Sequence, residues 1–238
     1  MILSHIVAAL SAFVRSVQYA GVLRISQAER VRYVKKSIRL ALCYAGFGVP
    51  WNVREAWKAG EAAFLSCAYD VVTDWRHYDE KARSAFERIL TDLSQLELRE
   101  LALTLYDKDL NNQLSEDGLE RGDVALRFIL KTMGCEKQRE AAWGDLTDLG
   151  ELLQIADDVL DYEDDVAAGD QNCLITANRA AYLGRLLEGL NSEKTQRLFG
   201  RSRSVLVLAI AQARKKGTKL LAKTSVDQES EFPRNYII

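Results

Sequence analysis

Along the first twenty residues, Ile2, Ile6, Leu10, Phe13 and Val17 recur three and four positions apart. That spacing puts them on one face of an amphipathic helix. Similar stripes run through Phe64, Ala68, Val71 and Trp75, and through Leu152, Ile155, Ala156 and Val159. Polar starts frame several of these stretches. Ser26-Gln27-Ala28-Glu29 has the form of a capping box, and Asn52 to Glu55 and Ser94 to Glu97 follow the same logic. The pattern predicts helices near 2–20, 26–46, 53–78, 80–92, 95–109, 117–133, 137–165, 175–190 and 201–222. The remainder, 224–238, reads as a polar arm that ends on Tyr236, Ile237 and Ile238.

Composition sharpens this picture. The 238 residues include only two prolines, Pro50 and Pro233, and an all-β chain would need far more turn punctuation. No repeat, linker or shift in composition divides the chain, so the expectation is one all-α domain over 1–238. Helices longer than 20 residues span about 30 Å or more and pack as an antiparallel bundle, with sites on facing helices.

Charge and rare residues remove several functions. A net charge of −2 gives no electrostatic case for nucleic acid. Two histidines, His5 and His77, are too few for a zinc or di-iron site of the usual kind. Cys43, Cys67, Cys135 and Cys173 form no C-x-x-C pair and read as free thiols in a reducing, cytoplasmic setting. No run is long and apolar enough for a stable membrane span, and 1–21 lacks the basic start of a leader peptide. The first helix reads as a lid or dimer contact, with a membrane contact as the other possibility.

Two acidic segments carry the chemistry. Asp70 and Asp74 lie four apart, which places them on one helical face about 5–6 Å apart, beside Arg76. Taken alone they also read as a solvated acid pair. In 150–165, Gln154, Asp157, Asp158, Asp161 and Asp165 cluster on one side of the wheel, and no base occurs between Glu140 and Asp165. A hard cation could neutralise that run, although a solvated acidic face fits the periodicity equally well. The bases Arg30, Arg32, Lys35, Lys36 and Arg39 read as a solvated helix face.

Gly150-Glu-Leu-Leu-Gln-Ile-Ala-Asp157-Asp158-Val-Leu-Asp161 resembles the second aspartate-rich motif of trans-prenyl diphosphate synthases, G-x-x-F-Q-I-x-D-D-x-L-D. Leu153 replaces the usual Phe. Lys131-Thr132 is similar to the family's Lys-Thr pair at the substrate diphosphate, and Gly169 to Asn172 sits where related sequences close a loop over the metals. The likeness covers about 120–165 and marks the chain as similar to the class I isoprenoid synthase superfamily. It implies an all-α bundle around a deep apolar cavity, with acid clusters facing each other at its mouth. It also implies three Mg2+ ions bound with a prenyl diphosphate, on Asp70, Asp74, Asp157, Asp158 and Asp161. Lys131, Gln154 and Arg76 are then candidates for binding or orienting the diphosphate. Phe64 and Tyr69, with Trp57 and Phe128, are candidate lining residues, although each also suits an ordinary core.

The departures from the family select among its reactions. Asp70-Val-Val-Thr-Asp74 has the D-x-x-x-D form of squalene and phytoene synthases and some terpene cyclases, instead of D-D-x-x-D. The elongating enzymes' G-G-K-x-x-R-P segment has no counterpart. One diphosphate site without a second favours a cyclase, a lyase that ionises a single allylic prenyl diphosphate. The elongase-like second motif keeps two prenyltransferase readings open, chain elongation and head-to-head condensation. A non-catalytic helical subunit of a prenyl synthase is a further alternative. Homodimers are common in the superfamily.

Overall fold

The computed structural model describes residues 2–45, 53–75, 79–93, 96–110, 118–144, 146–168, 172–175, 178–191 and 211–222. Among these residues every element is helical. They are α1 (Ile2–Tyr19), α2 (Gln27–Tyr44), α3 (Val53–Asp70), α4 (Glu80–Asp92), α5 (Leu96–Leu110), α6 (Glu120–Met133), α7 (Glu136–Trp143), α8 (Leu146–Ala168) and α9 (Arg179–Asn191). A π-helical turn, Val71–Trp75, continues α3, a 3-10 turn, Cys173–Ile175, follows α8, and a last helical segment, α10, covers 211–222. No helix among the described residues is long and apolar enough to cross a membrane.

Local chemistry accounts for most of these boundaries. The Ser26 hydroxyl accepts from the Glu29 amide at 3.3 Å while Glu29 accepts from the Ser26 amide at 2.9 Å, so the predicted capping box starts α2. Asp79 caps α4 through the Lys81 amide at 3.1 Å. The predicted caps at Asn52 and Ser94 lie outside the described residues. The expected single helix over 137–165 is instead two helices. Gly144 breaks it at φ 79° and ψ −129°, a backbone state that a side chain would strain.

α3 is the axis of the packing, touching α1, α2 and α6, and α6 in turn packs on α8. Small residues let these helices approach closely. A Cβ at Gly60 would fall on the Ala8 carbonyl and lie 2.6 Å from the Ser11 Cβ, so α1 meets α3 almost backbone to backbone. The Ser11 hydroxyl then donates to the Trp57 carbonyl at 2.8 Å. Gly122 and Gly150 bring α6 and α8 together in the same way, because a Cβ on either would meet the other's backbone. The core between α1, α2 and α3 centres on Phe64. It stacks on Tyr19 (centroids 5.4 Å apart) and meets Tyr33 edge-on at 6.5 Å.

Close packing through Ala8, Ser11 and Ala12 turns the larger side chains of α1 outward. Leu3, Ile6, Leu10, Phe13, Val14 and Val17 all remain exposed. Within the α1–α3 contact, buried Glu61 accepts from Arg15 Nη2 at 2.7 Å, Lys58 Nζ at 2.7 Å and Trp57 Nε1 at 3.2 Å. Burial alone would raise its carboxyl. The hydrogen bonds from Lys58 and Arg15 outweigh that and hold it below the usual carboxylate range.

Candidate active site

Within α8 the acidic motif opens on Gly150, which crosses α6 at backbone contact. From there Leu152, Ile155, Ala156 and Val159 form its buried stripe, against Leu183 and Leu186 of α9. The acids leave that stripe in two directions. Asp157 and Asp161 are reached by solvent, whereas Asp158 is buried at 6% exposure.

Both carboxylate oxygens of Asp158 are engaged. Gln154 Nε2 donates to Oδ1 at 2.8 Å, and the Cys173 amide donates to Oδ2 at 2.8 Å. Asn172 Nδ2 adds bonds to the Asp158 carbonyl and to Asp165 Oδ2, each at 2.8 Å. Asp158 and Gln154 therefore tie α8 to the turn that follows it. Sequence reasoning placed both at a metal or diphosphate; here each has a structural partner.

Asp157 faces a different neighbourhood. Its carboxyl is pushed up to about 7, first by burial among surrounding protein, then by the charges of Asp161 and Asp158, with Asp70 adding to the push and Lys36 opposing it. The side chain keeps solvent access. Asp161 is raised too, first by burial, with Lys36 opposing and Asp164 adding. Cys43 of α2 is raised to about 11 by burial and by Asp157. Half-buried Leu40 and Tyr44 of α2 and Leu153 of α8 pack against the same core cluster. Lys36 of α2 thus acts on Asp70 of α3 and on Asp157 and Asp161 of α8, and Asp70 acts on Asp157.

Lys36 is the functional candidate that sequence reasoning left in a solvated basic face. Its Nζ lies 2.7 Å from Asp70 Oδ2. Asp70 holds its ammonium well above the usual lysine range against the opposing cost of burial. Tyr33, Ser37 and Ala41 are the buried face of α2, and Lys36 borders it. Arg32 borders the same face beside Tyr33, so only the docking of α2 on α3 separates Lys36 from its basic neighbours.

Other predicted site residues are placed elsewhere. Phe64 is fully buried in the aromatic core, so it touches protein on every side. Tyr69 is half-buried and meets Phe86 edge-on at 6.0 Å. Lys131 is exposed in the last turn of α6, 3.9 Å from Glu136 Oε2, where its charge also suits the helix's negative end. Trp57 is bound to Glu61. Asp74 lies in the π-helical turn, where the Thr73 hydroxyl donates back to the Tyr69 carbonyl at 3.2 Å, a bond that loosens helices. The side chains of Asp74 and Trp75, all of Arg76, residues 169–171, and the predicted arm 224–238 lie outside the described residues.

Among the described residues no three His, Cys, Asp or Glu side chains stand close enough to hold a metal unaided. The donor chemistry nevertheless suits Mg2+. Mg2+ favours hard carboxylate oxygens and is commonly held by one or two of them, with the remaining positions filled by water and substrate phosphate. Burial first, and then the charges of Asp161 and Asp158, push the Asp157 carboxyl up, and a cation would relieve the second of these. Comparison of the chain with protein-family models, with curated proteins and with solved structures finds no match.

Proposed function

We propose that the chain is a class I terpene synthase that ionises a linear allylic prenyl diphosphate with Mg2+ and cyclises the resulting cation. The observation that carries this reading is the Lys36–Asp70 ion pair at 2.7 Å, which brings the first acidic segment near enough to the second for both charges to act on Asp157. The motif over 150–161 supplies the chemical context. In this reading Asp70, Asp157 and Asp161, with Asp74, hold the metals. When bound, Mg2+ would neutralise the departing diphosphate and so lower the barrier to breaking the C–O bond.

The chain's own residues do the remaining work. Lys36 keeps Asp70 oriented through the 2.7 Å ion pair and puts positive charge beside the leaving group. Asp158, fixed by Gln154 and Cys173, sets the rotation of α8 and so points its neighbour Asp157. Leu153, one turn before Asp157, Leu40, one turn after Lys36, and Tyr44, on which the Asp70 charge acts, would supply the apolar surface that keeps an allylic cation from water.

The elongase-like motif over 150–161 favours a second reading, chain elongation or head-to-head condensation. One assay separates the readings. Purified chain is incubated with Mg2+ and geranyl, farnesyl, geranylgeranyl or C25 diphosphate, with and without isopentenyl diphosphate. Diphosphate release with a hydrocarbon or alcohol product is the expected result. A longer diphosphate means a prenyltransferase. No consumption of any substrate overturns both and leaves a non-catalytic helical subunit.

A further inference from the structure

The exposed stripe of α1 has a period that its contact with α3 does not use. Leu3, Ile6, Leu10, Phe13 and Val17 are separated by three, four, three and four residues, which is the a/d spacing of a heptad seam. Their exposures run from 45% to 64%, and Val14 adds a sixth side chain at 38%. Together they offer on the order of 500 Å2 of apolar surface, at the upper end of what a monomer usually leaves to water. The opposite face of α1 is already committed to α3 through Ala8, Ser11 and Ala12.

We infer that this seam pairs with α1 of a second copy of the chain, antiparallel, about a twofold axis through Leu10. The apolar positions are symmetric about that residue once half-buried Val7, the mirror of Phe13, is counted. Running antiparallel, Leu3 meets Val17 of the other copy, Ile6 meets Val14, and Leu10 meets itself. A patch that matches its own reverse is what an isologous interface requires. Stable dimers bury about 800 Å2 per partner, so the seam supplies most of the area and its border supplies the rest. Antiparallel pairing also sets opposite helix dipoles side by side.

Charge argues against a lipid surface as the occupant. Helices that lie on membranes carry Lys and Arg on the polar face. In α1 the only basic side chains are His5 and Arg15, and Arg15 is bound to Glu61 at 2.7 Å.

The test is the solution mass of the full chain, by light scattering over a hundredfold concentration range. A mass of twice 26.8 kDa is expected, falling to 26.8 kDa in the Leu10→Asp variant with its helical signal unchanged. Because Leu10 is exposed, the substitution does not touch the core. As an independent measurement, the Leu10→Cys variant is expected to form a disulfide-linked dimer on mild oxidation, with wild type under the same conditions as the control. Leu3→Cys and Val17→Cys are expected not to link to themselves. A wild-type chain that stays monomeric at every concentration overturns the proposal, whether or not it binds vesicles. Self-linking of Leu3→Cys or Val17→Cys overturns the antiparallel register.

Discussion

Lys36 Nζ sits 2.7 Å from Asp70 Oδ2, joining α2 to the end of α3 directly before the π-helical turn. The same ammonium opposes the raised carboxyls of Asp157 and Asp161 on α8. It acts as a resident cation among these acids, with Lys216 also acting on Asp161. Replacing it by Met removes that counter-charge and leaves the acids to seek another. Both partners keep solvent access, so the direct cost to stability is about 1 kcal/mol at most. The melting temperature should rise more with 10 mM MgCl2 in Lys36→Met than in wild type. Equal shifts in the two proteins would mean that Lys36 and the metal do not compete for the same acids.

Asp157 gives the site a pH signature. Its proton is held up to about 7 in the fold, against an ordinary value of 3.8. Such a group adds stability that is complete below its unfolded value and is lost as pH rises through the folded one. Asp157→Asn keeps the shape and removes the titration. Urea midpoints should therefore agree between wild type and variant at pH 4, and favour the variant at pH 8. An advantage of the same size at both pH values would show that the neighbouring acids do not disfavour its charge.

Asp158, one residue on, behaves in the opposite way. Removing its carboxylate strands the Cys173 amide and the Gln154 side chain, which bond to its two oxygens. Leaving buried donors unpaired puts the cost of Asp158→Ala at about 2–3 kcal/mol. Amide exchange around 172–175 should speed up in this variant and stay slow in Asp157→Ala. If both variants kept wild-type exchange and stability, Asp158 would have no structural role and would return to the metal set.

This division between neighbours marks where the sequence stops being readable. The acids of 150–161 stand out by pattern alone, and the helix they sit on follows from the Leu152, Ile155 and Val159 stripe. Which of Asp157 and Asp158 keeps solvent access depends on where the Cys173 turn returns, and that is a tertiary contact absent from any local window. Lys36 was hidden for a similar reason. Five bases between Arg30 and Arg39 look alike by composition, and only the docking of Tyr33, Ser37 and Ala41 turns one towards Asp70. Gly144 could be seen in the chain, but a glycine within an apolar period does not reveal its positive φ. The starts of α2 and α4 were legible because their caps are made within a few residues.

The crossing of α6 and α8 links packing to the acids. Gly122 and Gly150 meet with no room for a Cβ on either, and the clash would be with backbone that cannot turn aside. Gly150→Ala must push the helices apart, at a cost of about 1–3 kcal/mol. Since α8 carries Asp157 and Asp161, the same shift should lower Mg2+-dependent diphosphate release more than the lost stability explains. Gly184→Ala, within α9 and with room for a Cβ, is the matched control; it should leave diphosphate release unchanged and raise stability by about 0.5–1 kcal/mol through the helix preference of Ala. Equal behaviour of the two variants would remove the crossing as the device that sets the position of α8.

Glu61 provides the acid-side counterpart to Asp157. Its carboxylate is buried at the α1–α3 contact and receives Arg15, Lys58 and Trp57; against the cost of burial, Lys58 and Arg15 hold its carboxyl below the ordinary 4.5. A lowered carboxyl contributes stability above its unfolded value, and that contribution disappears as pH falls through the folded one. Glu61→Gln keeps the volume but loses the charge. It should cost about 2 kcal/mol at pH 7, typical of hydrogen bonds to a charged group, and progressively less below pH 4. Because Arg15 and Lys58 reach solvent, they can be hydrated when the acid is gone, which keeps the loss from growing larger. Thermal unfolding of both proteins between pH 3 and pH 8 measures the difference. A gap that stays constant across that range would assign the role of Glu61 to packing instead of charge.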